Sequence, residues 1–139
     1  MKITLCYSMQ FADKVPALKT ELERLGHDVY IVESNDQYLG KNSDEQEEIK
    51  LNEKYNHDAM RNHLNLIQHA DAILILNFDK NGTTNYIGGN VFLEMGVAYF
   101  LRKQIFLLNP IPEVSYETEI KAMKPIIINQ DLTKIKNSR

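Results

Sequence analysis

The chain has 139 residues, of which 43% are hydrophobic and 25% charged, and its formal net charge is −3. This length is enough for one globular domain that buries its own core, and the slightly acidic balance argues against a general binder of nucleic acids or membrane surfaces. No apolar stretch approaches the roughly 20 residues that cross a bilayer. The single cysteine excludes a disulfide within the chain. Polar residues follow the first apolar run so closely that we expect no signal peptide and a cytoplasmic location.

The first half of the chain predicts two strands, a helix and a loop. Residues 3–7 form a short β-prone run without a helix start signal. Apolar residues at helical spacing predict a helix over 15–25, which Gly26 ends, and residues 29–32 predict a second strand. Residues 34–48 are polar and acidic and offer little to bury, so we expect a mobile loop that leads into the next helix.

The second half continues the alternation of helices and strands. Apolar residues on one face predict a helix over 49–69, and the continuous apolar run 72–76 is typical of a strand covered on both faces. A polar loop over 77–90 contains glycine and precedes a helix over 91–101. Residues 105–108 predict another buried strand.

A short helix over 116–123 and a strand over 126–128 complete the pattern. Five strands alternating with four helices predict a single α/β domain over 1–139, in which a parallel sheet lies between two helical layers. Right-handed crossovers favour a flavodoxin- or Rossmann-like sheet with strand order 2-1-3-4-5.

Ligands of open parallel sheets bind beyond the carboxyl ends of the strands, and polar residues follow four of the strands here. Each is weak evidence alone, because strand-end loops meet water. Together they mark the edge where a site is expected: Tyr7 and Ser8, Asn77 and Asp79, Asn109, and Asn129.

Glu94 is the most informative residue of the sequence. It is the only charged residue from Asn81 to Leu101, in a helix that is otherwise almost wholly apolar. Val91 and Ala98 share its face of the helix, so its side chain should turn inward. A buried, unpaired carboxylate costs several kcal/mol, roughly, and a sequence tolerates it mainly where the group is paired or employed.

The segment before Glu94 supports employment. Gly88 and Gly89 allow close backbone approach, Asn90 is a plausible N-cap, and the free N–H groups of the first turn favour an anion nearby. The alternative is a carboxylate that only stabilises the helix dipole, although such a group normally lies on the wet face.

Several motifs together resemble the nucleoside 2-deoxyribosyltransferase superfamily, which includes the 2′-deoxynucleoside 5′-phosphate N-hydrolases. The resemblance extends over nearly the whole domain. The motifs are Tyr7-Ser8-Met9 after strand one, His69-Ala70-Asp71-Ala72 at the start of strand three, and Glu94-x-Gly96-x-Ala98 followed by Lys103-Gln104-Ile105.

The resemblance implies that Glu94 is a nucleophile toward the anomeric carbon of a (deoxy)ribosyl group. It also implies that Ser8, with its neighbour Met9 and the 88–90 loop, binds the 5′-hydroxyl or phosphate, and that Tyr7 lies near the sugar as a catalytic side chain. Family members commonly form dimers in which the neighbour completes the pocket, and the 109–117 loop is the candidate donor here.

One position departs from the family pattern. The family usually carries an Asp about eight residues before the Asp that opens strand three, and counting back from Asp71 gives His63. His63 should point inward, either as a general acid for the leaving base or as a hydrogen-bonded core histidine. Asp79 is another candidate for the second carboxylate, whereas Asp58 is more than a turn away.

The leading hypothesis is an enzyme, a hydrolase or a deoxyribosyltransferase, that acts on the N-glycosidic bond of a small nucleoside or nucleotide and needs no cofactor. A nucleotide sensor of the same fold and a purely structural protein remain alternatives. His57, His63 and His69 turn by about 240° per step along a helix, so no zinc site is expected from them. Cys6 is expected to be buried and inert.

Overall fold

The computed structural model describes residues 1–32, 34–56 and 58–137. It contains one parallel sheet of five strands in the order β2-β1-β3-β4-β5, which confirms the predicted fold and strand order. The strands are β1 (Lys2–Cys6), β2 (Asp28–Tyr30), β3 (Ala72–Ile75), β4 (Gln104–Leu107) and β5 (Ile126–Ile127).

The central strands are apolar on both faces because both faces are covered. All four residues of β3 are buried, and β3 pairs with β1 from Ile3 opposite Ala72 to Cys6 opposite Ile75. Alternate side chains therefore enter two separate cores: Leu5 lies in one, and Cys6 lies in the other.

The described residues contain six α-helices. The helices are α1 (Val15–Arg24), α2 (Asn35–Tyr38), α3 (Ser43–Asn56), α4 (Ala59–Gln68), α5 (Gly89–Phe100) and α6 (Glu117–Ala122). Of these, α1, α4, α5 and α6 cover the two faces of the sheet. The core of Leu5 packs against α1, whereas the core of Cys6 packs against α4, α5 and α6. Two short 3-10 helices, Met9–Lys14 and Leu132–Lys134, complete the set of helices in the described part of the chain. None of the helices in this part is long and apolar enough to cross a membrane.

The segment 34–48 differs from the sequence prediction. It contains α2 and the start of α3, where a loop was expected. The prediction failed because Asn35 and Tyr38, which looked dispensable in a polar stretch, are both buried and anchor α2.

The single helix predicted over 49–69 is two helices. Asp58, the N-cap of α4, adopts a left-handed backbone with φ of 48° and breaks the helical path after α3. In contrast, Gly26 ends α1 as predicted, with φ of 95° that glycine adopts without strain.

Candidate active site

A cavity of about 350 Å³ opens at the carboxyl ends of β1 and β3. That volume suits a small organic molecule. Its lining comes from the β1 end (Tyr7, Ser8, Met9), the α2–α3 segment (Tyr38, Gln46, Glu47, Lys50, Glu53, Lys54), α4 (Met60, His63, Leu64), the 80–86 loop (Lys80, Tyr86) and the start of α5 (Gly88, Gly89, Asn90, Glu94), among others.

Glu94 faces this cavity from the second turn of α5. Its side chain is 14% exposed, as the inward prediction requires, and Oε2 lies 2.8 Å from Nε2 of His63 on α4. The pair is close enough for an ion pair when the imidazole is protonated, yet Oε2 makes no hydrogen bond to any described residue. One carboxylate oxygen, Oε2, is therefore buried beside the imidazole of His63 without a well-aligned hydrogen-bond donor among the described residues.

Cys6 lies directly behind this pair, at the end of β1. Its Sγ is 3.6 Å from Nε2 of His63. Burial, followed by the charge and hydrogen bond of Glu94, raises the pKa of the Cys6 thiol well above its usual value. Sequence reasoning treated this residue as inert; the alternation of side chains along β1 that turns Cys6 toward α5 was the available signal.

His63 uses one ring nitrogen at the site and leaves the other unused. Nε2 faces both Cys6 and Glu94, whereas Nδ1 is buried and has no hydrogen-bond partner among the residues that the structure describes. The ring is therefore oriented toward the carboxylate of Glu94. This orientation bears on both roles that the sequence suggested for His63, a general acid and a hydrogen-bonded core histidine.

Tyr7 lines the cavity, but its hydroxyl is already engaged. The hydroxyl donates a hydrogen bond of 2.7 Å to Oδ1 of Asn35, which is itself buried. Burial, and then the charges of Cys6 and Glu94, raise the pKa of Tyr7 far above its ordinary value. Tyr7 is thus held protonated and fixed, which suits a wall of the cavity better than a proton carrier.

Ser8 and Lys80 form a polar pair at the other side of the opening. Nζ of Lys80 donates to Oγ of Ser8 at 3.0 Å and lies 4.8 Å from the centre of the Tyr86 ring. Burial, and then repulsion from Lys50, lower the pKa of Lys80. No carboxylate within the described ranges forms an ion pair with this ammonium group.

Helix α3 provides a polar wall that sequence reasoning missed. Ser43, Gln46, Glu47, Lys50 and Lys54 recur at helical spacing and all line the cavity. Lys50 is paired with Glu47 at 2.7 Å. A search for apolar stripes does not find such a face, because the inward side chains of α3 line the cavity and do not enter the core.

The start of α5 depends on Gly88. The N-cap is Gly88, and Asn90, which was expected there, lies in the first turn. A Cβ added at Gly88 would come within 2.7 Å of the Tyr86 hydroxyl, so this position accepts no side chain unless the ring moves. Gly88, Gly89 and Asn90 line the cavity, and the N–H groups of the first turn have no partner within a helix.

Three predicted binding residues lie outside the cavity lining. Nδ2 of Asn77 donates to the carbonyl oxygens of Asn109 and Pro110 at 2.8 and 3.1 Å, and Asn109 returns its N–H to Oδ1 of Asn77 at 2.9 Å. This clasp joins the ends of β3 and β4. Asp79 is exposed and accepts the N–H of Asn85 at 2.9 Å, which shapes the loop.

The 109–117 segment, the candidate for a contribution to a neighbour, packs against its own chain at its far end. The Tyr116 hydroxyl donates to the carbonyl oxygen of Ile87, and its ring lies 4.6 Å from that of Phe92. Of the histidines weighed for a metal, His57 lies outside the described residues and His69 is exposed. Among the residues that the structure describes, a group able to hold a metal is formed by Cys6, His63 and Glu94.

A doubly wound sheet with a half-buried carboxylate at its strand ends defines an α/β protein with a small-molecule site. No family model matches the sequence, and no curated protein matches it. Among solved structures, the CMP N-glycosidase BcmB of Clostridium botulinum aligns over 97% of this chain and 98% of its own, with a TM-score of 0.54 and 16% identity. A 2-deoxyribosyltransferase of Bacillus psychrosaccharolyticus aligns over 77% of this chain and 71% of its own, with a TM-score of 0.44 and 22% identity. The likeness to BcmB supports the predicted α/β fold.

Proposed function

We propose that this protein is an N-glycosidic-bond enzyme that acts on a nucleoside 5′-monophosphate, with Glu94 as the nucleophile. The observation that carries the proposal is the position of Glu94. Its carboxylate is 14% exposed, faces a cavity of about 350 Å³, and leaves one oxygen without a hydrogen bond. A carboxylate in the wall of a cavity, restrained by a neighbouring imidazole, can meet an electrophilic carbon of a bound molecule.

The reaction follows from the chemistry of that group. Glu94 forms a bond to the anomeric carbon while the carbon–nitrogen bond breaks, and the electron pair leaves with the base, which takes a proton from water. Water then attacks the glycosyl-enzyme and releases the sugar phosphate, or a second base attacks it and gives a new nucleotide. Glu94 returns as a free carboxylate in either case.

His63 suits a positioning role better than the role of a general acid. Its Nε2 is directed at Glu94, and its Nδ1 is buried. A ring nitrogen that is 2.8 Å from the nucleophile restrains the carboxylate electrostatically, whereas protonation of a leaving base requires a donor directed at the base.

The phosphate preference rests on a polar part of the cavity lining near the start of α5. There Ser8, the half-buried Lys80 and the first-turn N–H groups of α5 provide a hydroxyl, a cation without a carboxylate partner and helix dipole ends. All three favour an anion. The similar fold of a protein named CMP N-glycosidase makes a pyrimidine nucleotide the first substrate to test.

We also propose that the chain forms a homodimer through α5. Leu93, Tyr99 and Phe100 are large exposed apolar side chains on this helix. Leu93 and Phe100 line a second, open groove between α4 and α5, and Leu93 also lines the catalytic cavity. A second copy seated in that groove would therefore lie beside the site.

The test is release of free base, followed by chromatography, from a panel of nucleosides and their 5′-monophosphates. Glu94→Gln should lower the rate by at least about a thousandfold, because removal of a nucleophile removes the main route. Glu117→Gln, an ion-paired carboxylate on α6, is the matched control and should retain full activity. Base release by Glu94→Gln at the wild-type rate would refute the assignment.

A nucleotide sensor of the same fold is the second candidate, and His63 in the position of the usual family Asp favours it. Calorimetry separates the two functions. A sensor binds a nucleoside monophosphate without changing it, whereas an enzyme leaves free base in the calorimeter cell after the titration.

A further inference from the structure

The innermost part of the site contains three different metal-ligating groups on three different elements. Sγ of Cys6 comes from β1, Nε2 of His63 from α4 and a carboxylate oxygen of Glu94 from α5, and these atoms all lie within 4.8 Å of one another. Each group comes from an element packed on the central sheet. The geometry is therefore fixed by the fold and not by a flexible loop.

The two distances from Nε2 of His63 are close to those around a tetrahedral ion. Sγ and the imidazole Nε2 are 3.6 Å apart. A zinc ion at its usual ~2.3 Å from sulfur and ~2.0 Å from nitrogen would hold them at an angle of about 114°, close to tetrahedral. Oε2 of Glu94 is 2.8 Å from the same nitrogen, so the carboxylate must move away by about 0.5 Å to take its place in the same sphere.

The donor set selects the kind of ion. A thiolate, an imidazole and one carboxylate suit zinc and its neighbours in the transition series, whereas Mg²⁺ and Ca²⁺ require more oxygen ligands than this group offers. Oε2 has no hydrogen bond among the described residues and is free to coordinate. On binding, the thiol proton passes to solvent and the sulfur coordinates as thiolate.

The fourth position of such an ion would open toward the cavity. Cys6 is fully buried, but His63 and Glu94 line the cavity. We propose that Cys6, His63 and Glu94 form a site for Zn²⁺, with water or a substrate oxygen as the fourth ligand, and that Zn²⁺ inhibits the enzyme because it engages the carboxylate that must attack the sugar. The inhibitory role rests on the proposed function; the site itself does not.

The site is tested with metal-stripped protein and Co²⁺, which takes the ligands and geometry of zinc and reports them by absorption. Wild-type protein should bind one Co²⁺ with a thiolate-to-cobalt charge-transfer band and tetrahedral visible bands, and excess Zn²⁺ should remove both. Cys6→Ser should abolish the charge-transfer band and weaken zinc binding at least tenfold against a chromophoric chelator. His69→Ala, an exposed histidine at the end of α4, is the matched control and should change neither.

Circular dichroism establishes that each variant is folded. Zinc bound equally well by Cys6→Ser, or a cobalt spectrum without a charge-transfer band, would overturn the site. Base release in chelator-treated buffer should fall as zinc is added, with half-inhibition at the zinc affinity measured without substrate. Inhibition that is absent at saturating zinc would overturn the inhibitory role. An absence of base release without zinc would instead refute the proposed function and, with it, this role, and would leave the cobalt spectrum to decide the site.

Discussion

Removal of the Lys80 charge should weaken the proposed preference of this protein for nucleotides over nucleosides. Lys80 is half-buried, and its Nζ already lies 3.0 Å from Oγ of Ser8 at the proposed phosphate subsite. A hydrogen bond to a charged group contributes about 1.5–3 kcal/mol, and partial exposure favours the lower half of that range. Lys80→Met should therefore lower kcat/KM for a nucleoside 5′-monophosphate about 10- to 30-fold.

The same substitution should leave the folded protein intact. No carboxylate ion pair within the described ranges is broken, and the pKa of Lys80 is lowered by burial and by Lys50. Since the folded state then binds this proton less tightly than the unfolded chain, wild-type stability gains as pH rises from the lowered pKa to the ordinary lysine value. Lys80→Met should lack that gain in stability. The wild type should bind the nucleotide more weakly at high pH, where Lys80 loses its proton, and Lys80→Met should not show this dependence.

The assay compares kcat/KM for one nucleoside and its 5′-monophosphate at low ionic strength, where exposed charges are least screened. Lys14→Met is the matched control, because Nζ of Lys14 also lies over an aromatic ring, that of Phe78 at 4.4 Å, but outside the cavity lining. An equal loss of kcat/KM on both substrates, or an unchanged ratio between them, would contradict a phosphate role for Lys80.

Three further predictions concern residues with separate tasks. His63→Gln should lower kcat about 10- to 100-fold, because the proposed role of His63 is to position Glu94. The loss should be equal for a natural base and for an activated leaving group. A loss confined to the natural base would indicate a general acid instead. Asn77→Ala should lower the free energy of unfolding by about 2–4 kcal/mol in urea denaturation, since the buried groups of Asn109 lose their partners. The kcat/KM per folded molecule should stay unchanged. Loss of activity without loss of stability would place Asn77 at the substrate. Phe100→Glu, at a side chain that is 82% exposed, should turn a dimer into a monomer in light scattering, and an unchanged mass would exclude this face as the interface.

The strand pattern could be predicted because burial on both faces leaves a direct trace in the sequence. A run such as Ala72–Ile75 has to be apolar throughout, and the strand order follows from crossover handedness and the alternation of elements. Glu94 could be found for the opposite reason. A lone carboxylate in an apolar helix conflicts with its surroundings, and such conflicts concentrate at functional sites.

The rest of the site lacked such a trace. Lys50 and Lys54 are ordinary surface residues until α3 is placed over the cavity, and a polar helix without an apolar stripe resembles a loop in the sequence. Cys6 looked like any buried strand residue, because its importance comes from what α4 and α5 bring beside it. The sequence predicted a binding role for Asn77 and Asn109, but both lie outside the cavity lining. A strand-end amide that hydrogen-bonds to the neighbouring strand end has the same sequence signature as one that binds a ligand.

The polar wall formed by α3 lines the cavity but takes no part in the two hydrophobic cores. No described side chain of α3 is buried, so neither core depends on this helix. Substitutions along its inner face, at Gln46 or Lys50 for example, can therefore change the shape and charge that an incoming molecule encounters while the sheet and the carboxylate at its edge stay in place. In a protein built this way, substitutions can change which ligand is selected more readily than they change the reaction.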